Sequence, residues 1–299
     1  MDFPSGRGNK MKYFIVDVFC KGKYSGNQLA VVLSPSSLSG EMMQVIANEF
    51  HFSETSFILE NNQHEGLYRV RIFTPQNEVP FAGHPTLGSA FIIRNEFETR
   101  SCKQVILDLD VGKIPVTFDD DQDIQWMRQI EPTFGSLHHQ NAIAQLLGLT
   151  PDEMDERFPV QAVSTGIEFL LVPLKDLNAV RKASLNLGRY REYFTGSKHL
   201  PMFIFCPETY EKTNAIHCRM FADDLGIPED PATGSANGCL AAYLTHYQYF
   251  GSREIGISVE QGYEMGRQSI LYIKSNLEKN RYNIEVGGKV KMIAQGELI

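Results

Sequence analysis

Short runs rich in β-branched and aromatic residues, several with alternating apolar and polar positions, dominate the chain and predict strands. They cover residues 12–19 (KYFIVDVF), 29–33 (LAVVL), 54–59 (ETSFIL), 68–74 (YRVRIFT) and 104–109 (QVILDL). A second series covers 169–173, 202–206, 214–221, 256–260, 269–273, 282–286 and 290–294. Helical spacing is scarcer. Residues 40–50 carry Met42, Val45, Ile46 and Phe50 on one face, with Ser39 as the expected N-cap. Residues 139–147 predict a surface helix. Two further helices are expected to begin at Pro85 and Pro231, where a missing N–H costs nothing.

Those two proline-led segments are related. Pro85-Thr86-Leu87-Gly88-Ser89-Ala90 and Pro231-Ala232-Thr233-Gly234-Ser235-Ala236 share the pattern P-x-x-G-S-A at an offset of 146 residues. Upstream of each lies a strand ending in a similar tripeptide, Arg71-Ile72-Phe73 and Arg219-Met220-Phe221. The pattern predicts a duplicated strand–loop–helix domain with its junction in a loop-rich stretch between about 115 and 135. Residues 1–10, polar and Gly-rich, read as a flexible leader, residues 11–125 as the first half and 126–299 as the second. Strands near the C-terminus are candidates to complete the first half. Equivalent elements of a pseudo-symmetric pair face one another, so both helix starts are expected to point into one cleft. Helix N-termini hold anions through free N–H groups and the dipole. Glycines there also serve tight helix–sheet packing, the competing reading.

The composition is that of a globular protein: 299 residues, 42% hydrophobic and 21% charged. A formal net charge of −8 argues against a general nucleic-acid binder and against electrostatic attachment to anionic lipid. No apolar stretch reaches the ~20 residues of a membrane span, and no signal-peptide pattern opens the chain. Five scattered cysteines without a C-x-x-C pair suggest neither a disulfide framework nor a zinc site, and a cytoplasmic setting is expected. No metal is expected, since His138-His139 lacks a third ligand nearby and Asp223-Asp224-Leu225-Gly226 misses the EF-hand spacing. The P-loop, the G-x-G-x-x-G turn and the G-x-S-x-G elbow are all missing.

Three titratable residues are candidates for chemistry. His84 precedes one helix proline, and Asp230 holds the corresponding place before the other. Asp230 reads equally as a helix cap, but histidine is a poor cap and needs another reason to be there. Two unlike titratable groups facing a cleft suit proton transfer. Glu54 enters an apolar β-rich run; buried, it becomes a plausible base, and exposed, it is an ordinary strand-edge glutamate. Gly26-Asn27 and Gln261-Gly262 read first as turns, with Asn27 able to reach the cleft.

The chain carries Asp17-Val18-Phe19, Gly26-Asn27, Ser53-Glu54-Thr55, Arg71-Ile72-Phe73-Thr74-Pro75, Glu78 to Pro85, Glu229 to Ala236 and Gln261-Gly262. Taken together, these motifs resemble the phenazine-biosynthesis isomerase (PhzF-like) family, relatives of diaminopimelate epimerase. The resemblance runs from about Met11 to the C-terminus. It implies an α+β fold of two pseudo-symmetric halves, each a mainly antiparallel β-barrel around a central helix. It further implies that Glu54 shuttles a proton, that His84 and Asp230 assist it, and that Gly83, Gly234, Ser235 and Asn27 bind substrate. None of the five cysteines falls at the helix starts, where the related epimerases carry two, so the carboxylate-based variant is the one implied.

The expected activity is then a cofactor-independent isomerisation of a small carboxylate-bearing metabolite, the family's type substrate being trans-2,3-dihydro-3-hydroxyanthranilate. A non-catalytic ligand-binding or interaction protein on the same fold, or a hydrolase or lyase of a small acid, is the alternative. Neither nucleic acid nor membrane is an expected partner. Family members are often homodimers, although no stripe of this sequence marks an interface. Loops at 20–26, 130–137 and 190–200, with Tyr24, Phe134, Tyr193 and Phe194, are expected to line the cleft.

Overall fold

The structure, a computed structural model, describes residues 10–35, 37–59, 67–98, 101–223 and 227–299. The expected leader, Lys10 apart, lies outside the described residues. The fold is α+β and rich in sheet, and the chain divides into two compact units. It passes from one to the other after Val18, Asn27, Gln125 and Lys289, so the first unit takes in the last strand and the second takes in residues 19–27. Among the described residues, no helix is long and apolar enough to cross a membrane.

The helices are α1 (Gly40–Phe50), α2 (Gly83–Glu96), α3 (Gln140–Leu146), α4 (Leu177–Lys182), α5 (Leu187–Tyr193) and α6 (Gly234–His246). In the first unit, strand Met11–Val18 pairs antiparallel with Val290–Leu298. Strand Asn27–Ser34 pairs parallel with Glu54–Leu59, which pairs antiparallel with Leu67–Phe73. Gln104–Leu109 then runs parallel to Leu67–Phe73 and antiparallel to Gly112–Asp119. Helix α2 packs against six of these strands, and its residues from Gly83 to Ala90 are all buried. A helix covered on every side has no polar face, which is why its sequence shows no amphipathic stripe. Gly88 is the point of closest packing, since a Cβ there would lie 2.4 Å from the buried Leu29 side chain.

The second unit encloses α6 in the same manner. Strands Val160–Ser164, Glu168–Pro173, Glu254–Gln261, Ser269–Glu278 and Arg281–Gly288 pack against it, and Gly234 to Thr245 are all buried. Outside this layer, α3, α4 and α5 close a second core in which Ile143, Leu147, Val180, Tyr190 and Phe194 meet Leu170, Val172, Met202 and Ile204.

Several local expectations need correction. The stretch 115–135 is not loop-rich; it holds strand Ile124–Arg128 and parts of Gly112–Asp119 and Thr133–His138. Helix α1 has its Ser39 cap, whose side chain accepts from Met42 N, but it buries Met43 and Ala47 while Val45 is exposed. Neither central helix starts at its proline. Helix α2 begins at Gly83, two residues early, and α6 begins at Gly234, three residues late. Gly88 is therefore mid-helix while its repeat mate Gly234 is the first helical residue. His84 lies within a helical turn, whereas Asp230 ends strand Ile227–Asp230 and is not a cap. Residues 187–193 form α5, and Phe194 is a core residue, not part of a ligand loop.

A local arrangement recurs in both units. Arg71 makes a bidentate pair with Glu78, at 2.6 and 2.7 Å, and lies over Phe73. Arg219 makes a bidentate pair with Glu229, at 2.8 and 2.9 Å, and lies over Phe221. Arg219 is the more deeply buried and also donates to the carbonyls of Val180 (3.0 Å) and Ala183 (2.8 Å). Removing one partner of a buried pair strands the other charge, at a cost of about 3–5 kcal/mol, whereas a half-exposed pair is worth about 1 kcal/mol. Arg219→Met is thus expected to lower the urea midpoint far more than Arg71→Met. Equal losses in equilibrium unfolding would contradict this ranking.

Candidate functional site

Two groups of predicted residues assemble, one in each unit. In the first, Glu54 opens its strand and His84 is the second residue of α2. The strand start and the helix start bring Glu54 Oε2 to 3.5 Å from His84 Nε2, with both atoms shielded from solvent. Burial pushes the His84 imidazole down to about 3, against a smaller opposing hydrogen bond with the Gln28 backbone. The ring is therefore neutral across the physiological range. Helix α2 has no side-chain cap and no acidic residue in its first turn, and Gly83 and His84 there present N–H groups that have no intrahelical acceptor. Pro85 has no N–H to offer.

In the second unit, Asp230 is buried and its carboxyl is pushed up to about 6, chiefly by desolvation. Hydrogen bonds from Thr233 and Asn27 act in the opposite direction. Asn27 Nδ2 donates to Asp230 Oδ1 at 2.8 Å and to Ala232 O at 3.0 Å, and Thr233 Oγ1 donates to Asp230 Oδ2. The Asn27 amide, expected at the substrate, thus has both hydrogens engaged within the protein. Gln261 completes the network. Its Nε2 donates to Asp230 O (2.9 Å), and its Oε1 accepts from Thr233 N and Asn237 Nδ2, both at 3.1 Å. Gly234 and Ser235 are the first two residues of α6, which has no side-chain cap. Their N–H groups have no intrahelical acceptor.

Thr233, Asn237 and Gln261 are the residues that the sequence did not single out for this role. The Gln261-Gly262 pair was legible only as a turn. Gly262 has a φ of +76°, and a Cβ there would meet the backbone of Arg267 and Pro231 at 2.5 and 2.6 Å. That turn holds Gln261 against the residues before α6. The aromatic residues expected around a ligand are dispersed: Tyr24 is exposed, Phe134 packs on His246, and Tyr193 packs on His138 and Phe194. The Cys206 and Cys239 thiols are pushed up to about 12 by burial, and the Cys218 thiol well above its usual value, so none supplies a thiolate at neutral pH.

The first unit thus places an acidic side chain beside a neutral imidazole at a helix start, in a sheet-rich α+β chain. Residues 16–296 match the phenazine biosynthesis-like (PhzC-PhzF) protein family, and the chain belongs to that family. An uncharacterized isomerase of Mesorhizobium japonicum is 32% identical over 96% of this chain and 98% of its own. The trans-2,3-dihydro-3-hydroxyanthranilate isomerase of Pseudomonas aeruginosa is 30% identical over 95% of this chain and 98% of its own. Among solved structures, a PhzF-family phenazine biosynthesis protein of Bacillus anthracis superposes with a TM-score of 0.88 at 26% identity, covering 98% of this chain and 100% of that one. The resemblance and the isomerase class expected from the sequence both stand.

The two titratable groups bend stability with pH in opposite directions. His84 is depressed, so its contribution is complete above about 6.5 and is lost as pH falls toward 3. Asp230 is raised, so its contribution is complete below 3.8 and is lost as pH rises through about 6. His84→Asn is expected to flatten the fall in stability between pH 6.5 and 3, worth about 1.4 kcal/mol per unit of displaced pKa. Asp230→Asn is expected to flatten the opposite slope. Urea midpoints measured across pH check both, and an unchanged acid slope in His84→Asn would contradict a neutral His84.

Proposed function

We propose that this protein is a cofactor-independent isomerase that moves a proton between carbons of a small carboxylate-bearing substrate such as trans-2,3-dihydro-3-hydroxyanthranilate. The observation that carries the reading is the solvent-shielded Glu54–His84 pair. An imidazolium 3.5 Å away would oppose proton uptake by the carboxylate, whereas an uncharged ring leaves it free to act as a base. Glu54 takes a proton from carbon next to the carboxylate or enamine of the substrate and returns it at a different carbon. His84 is its neutral partner, and Asp230 is the second titratable group. Each unit offers N–H groups at a helix start, Gly83 in the first and Gly234 and Ser235 in the second. They are of the kind that bind a substrate carboxylate or the charge that builds as the proton leaves, in the manner of an oxyanion hole. Asn27 serves by holding Asp230.

The same reading takes the two units as copies of one strand–loop–helix domain, each a mainly antiparallel barrel around its helix. Support comes from the P-x-x-G-S-A repeat and from the recurring Arg–Glu–Phe arrangement of Arg71 and Arg219.

Incubation of trans-2,3-dihydro-3-hydroxyanthranilate with the protein in heavy water tests the activity, read by NMR as deuterium entering carbon. Loss of a positioned general base costs about 10²–10⁴-fold, so Glu54→Gln is expected to slow exchange by that factor. Exchange at the wild-type rate in Glu54→Gln would remove Glu54 from the role. Tight binding of the compound without exchange by the wild-type protein would identify a binding protein instead.

A further inference from the structure

The loop from Gly262 to Gln268 does more than end a strand. Arg267 reaches from it to the segment that carries Asn27, donating from Nε to Gly26 O at 2.9 Å and from a terminal nitrogen to Ser25 O at 3.1 Å. Gly26 N donates back to Gln268 O at 3.2 Å. The next residue is Asn27, whose amide binds Asp230. The loop is itself anchored. Arg267 N donates to Gly262 O, and Glu264 accepts from Tyr210 Oη at 3.0 Å and lies 3.2 Å from the buried ring of His217. A planar guanidinium with two donors on successive carbonyls fixes a peptide's position more firmly than a single charge does.

We propose that Arg267 is a positioning residue that holds Asn27 against the Asp230 carboxylate and so acts on the site without touching it. The proposal rests on the reading of Asp230 as a member of the proton-handling set, but the coupling itself is a property of the resting protein. The charged neighbour of Asp230 is Glu229, which is neutralised by Arg219. The hydrogen bond from Asn27 is one of two that favour the ionised carboxylate. Loss of its geometry therefore raises the Asp230 midpoint. A hydrogen bond to a charged group is worth about one pH unit or somewhat more in such a titration.

The test is the Asp230 titration itself, followed by ¹³C NMR of Asp-labelled full-length protein with no substrate present. Asn27→Ala and Arg267→Ala are each expected to raise the midpoint by about one unit, and the double variant by no more than Asn27→Ala alone. Arg267→Lys keeps the charge and loses the fork, so it is expected to behave like Arg267→Ala. It also carries the test should Arg267→Ala not fold. The proposal is overturned by a wild-type midpoint in Arg267→Lys or Arg267→Ala, by additive shifts in the double variant, or by no shift in Asn27→Ala. A separate outcome bears on the functional reading alone. If Asp230→Asn keeps full solvent exchange on trans-2,3-dihydro-3-hydroxyanthranilate, Asp230 leaves the proton-handling set while the measured coupling stands.

Discussion

A helix enclosed by sheet on all sides must also begin inside the protein, and that constraint organises both units. Its first N–H groups have no acceptor within the helix and no free access to water. The protein meets the cost with small residues and short polar side chains at the helix starts. In the second unit, the turn before α6 is held by Asp230, Thr233, Asn27 and Gln261, which bond to one another. In the first, Ala82 precedes α2 without any side-chain cap, and His84 stands in the opening turn. N–H groups left without an intrahelical acceptor at a helix start are the kind of group that the proposed function assigns to an anionic substrate.

Burial then decides the ionisation states. His84 and Asp230 carry opposite charges when ionised, and desolvation moves both toward neutrality, one down and the other up. The Asp230 carboxyl ends near 6, within reach of physiological pH, because two hydrogen bonds offset part of the desolvation. For His84 the single hydrogen bond with the Gln28 backbone is too small to offset the desolvation. Packing and a few hydrogen bonds thus leave His84 uncharged and bring Asp230 close to its midpoint at physiological pH.

Many strands and α1 were legible because their signals are local (β-branched runs, turn residues and a Ser cap), whereas Gly112–Asp119, Ile124–Arg128, Thr133–His138 and Val160–Ser164 were not anticipated. The P-x-x-G-S-A repeat was equally local and led to the candidate residues His84 and Asp230. What the repeat hid was the offset between the two helix starts. Asp230 has partners in Thr233 and Asn27 that keep its turn extended, so α6 starts later than its counterpart, and no residue within the motif announces that. The short helices α4 and α5 were missed although their caps were visible, since Asp176 accepts from Ala179 N and Asn186 from Arg189 N. Six or seven residues carry too little periodicity to outweigh neighbouring strands. The roles of Gln261 and Arg267 lay beyond any local pattern, because both act on residues far away in the chain.

The claim that burial sets the charge at the site is tested most directly by the protonation state of His84. In protein labelled with ¹⁵N-histidine, the ring nitrogens report it without reference to any substrate. At pH 5 an ordinary imidazole is mostly charged. His84 is expected to be neutral at that pH, with one protonated and one bare ring nitrogen. Two equivalent protonated nitrogens at pH 5 would contradict it.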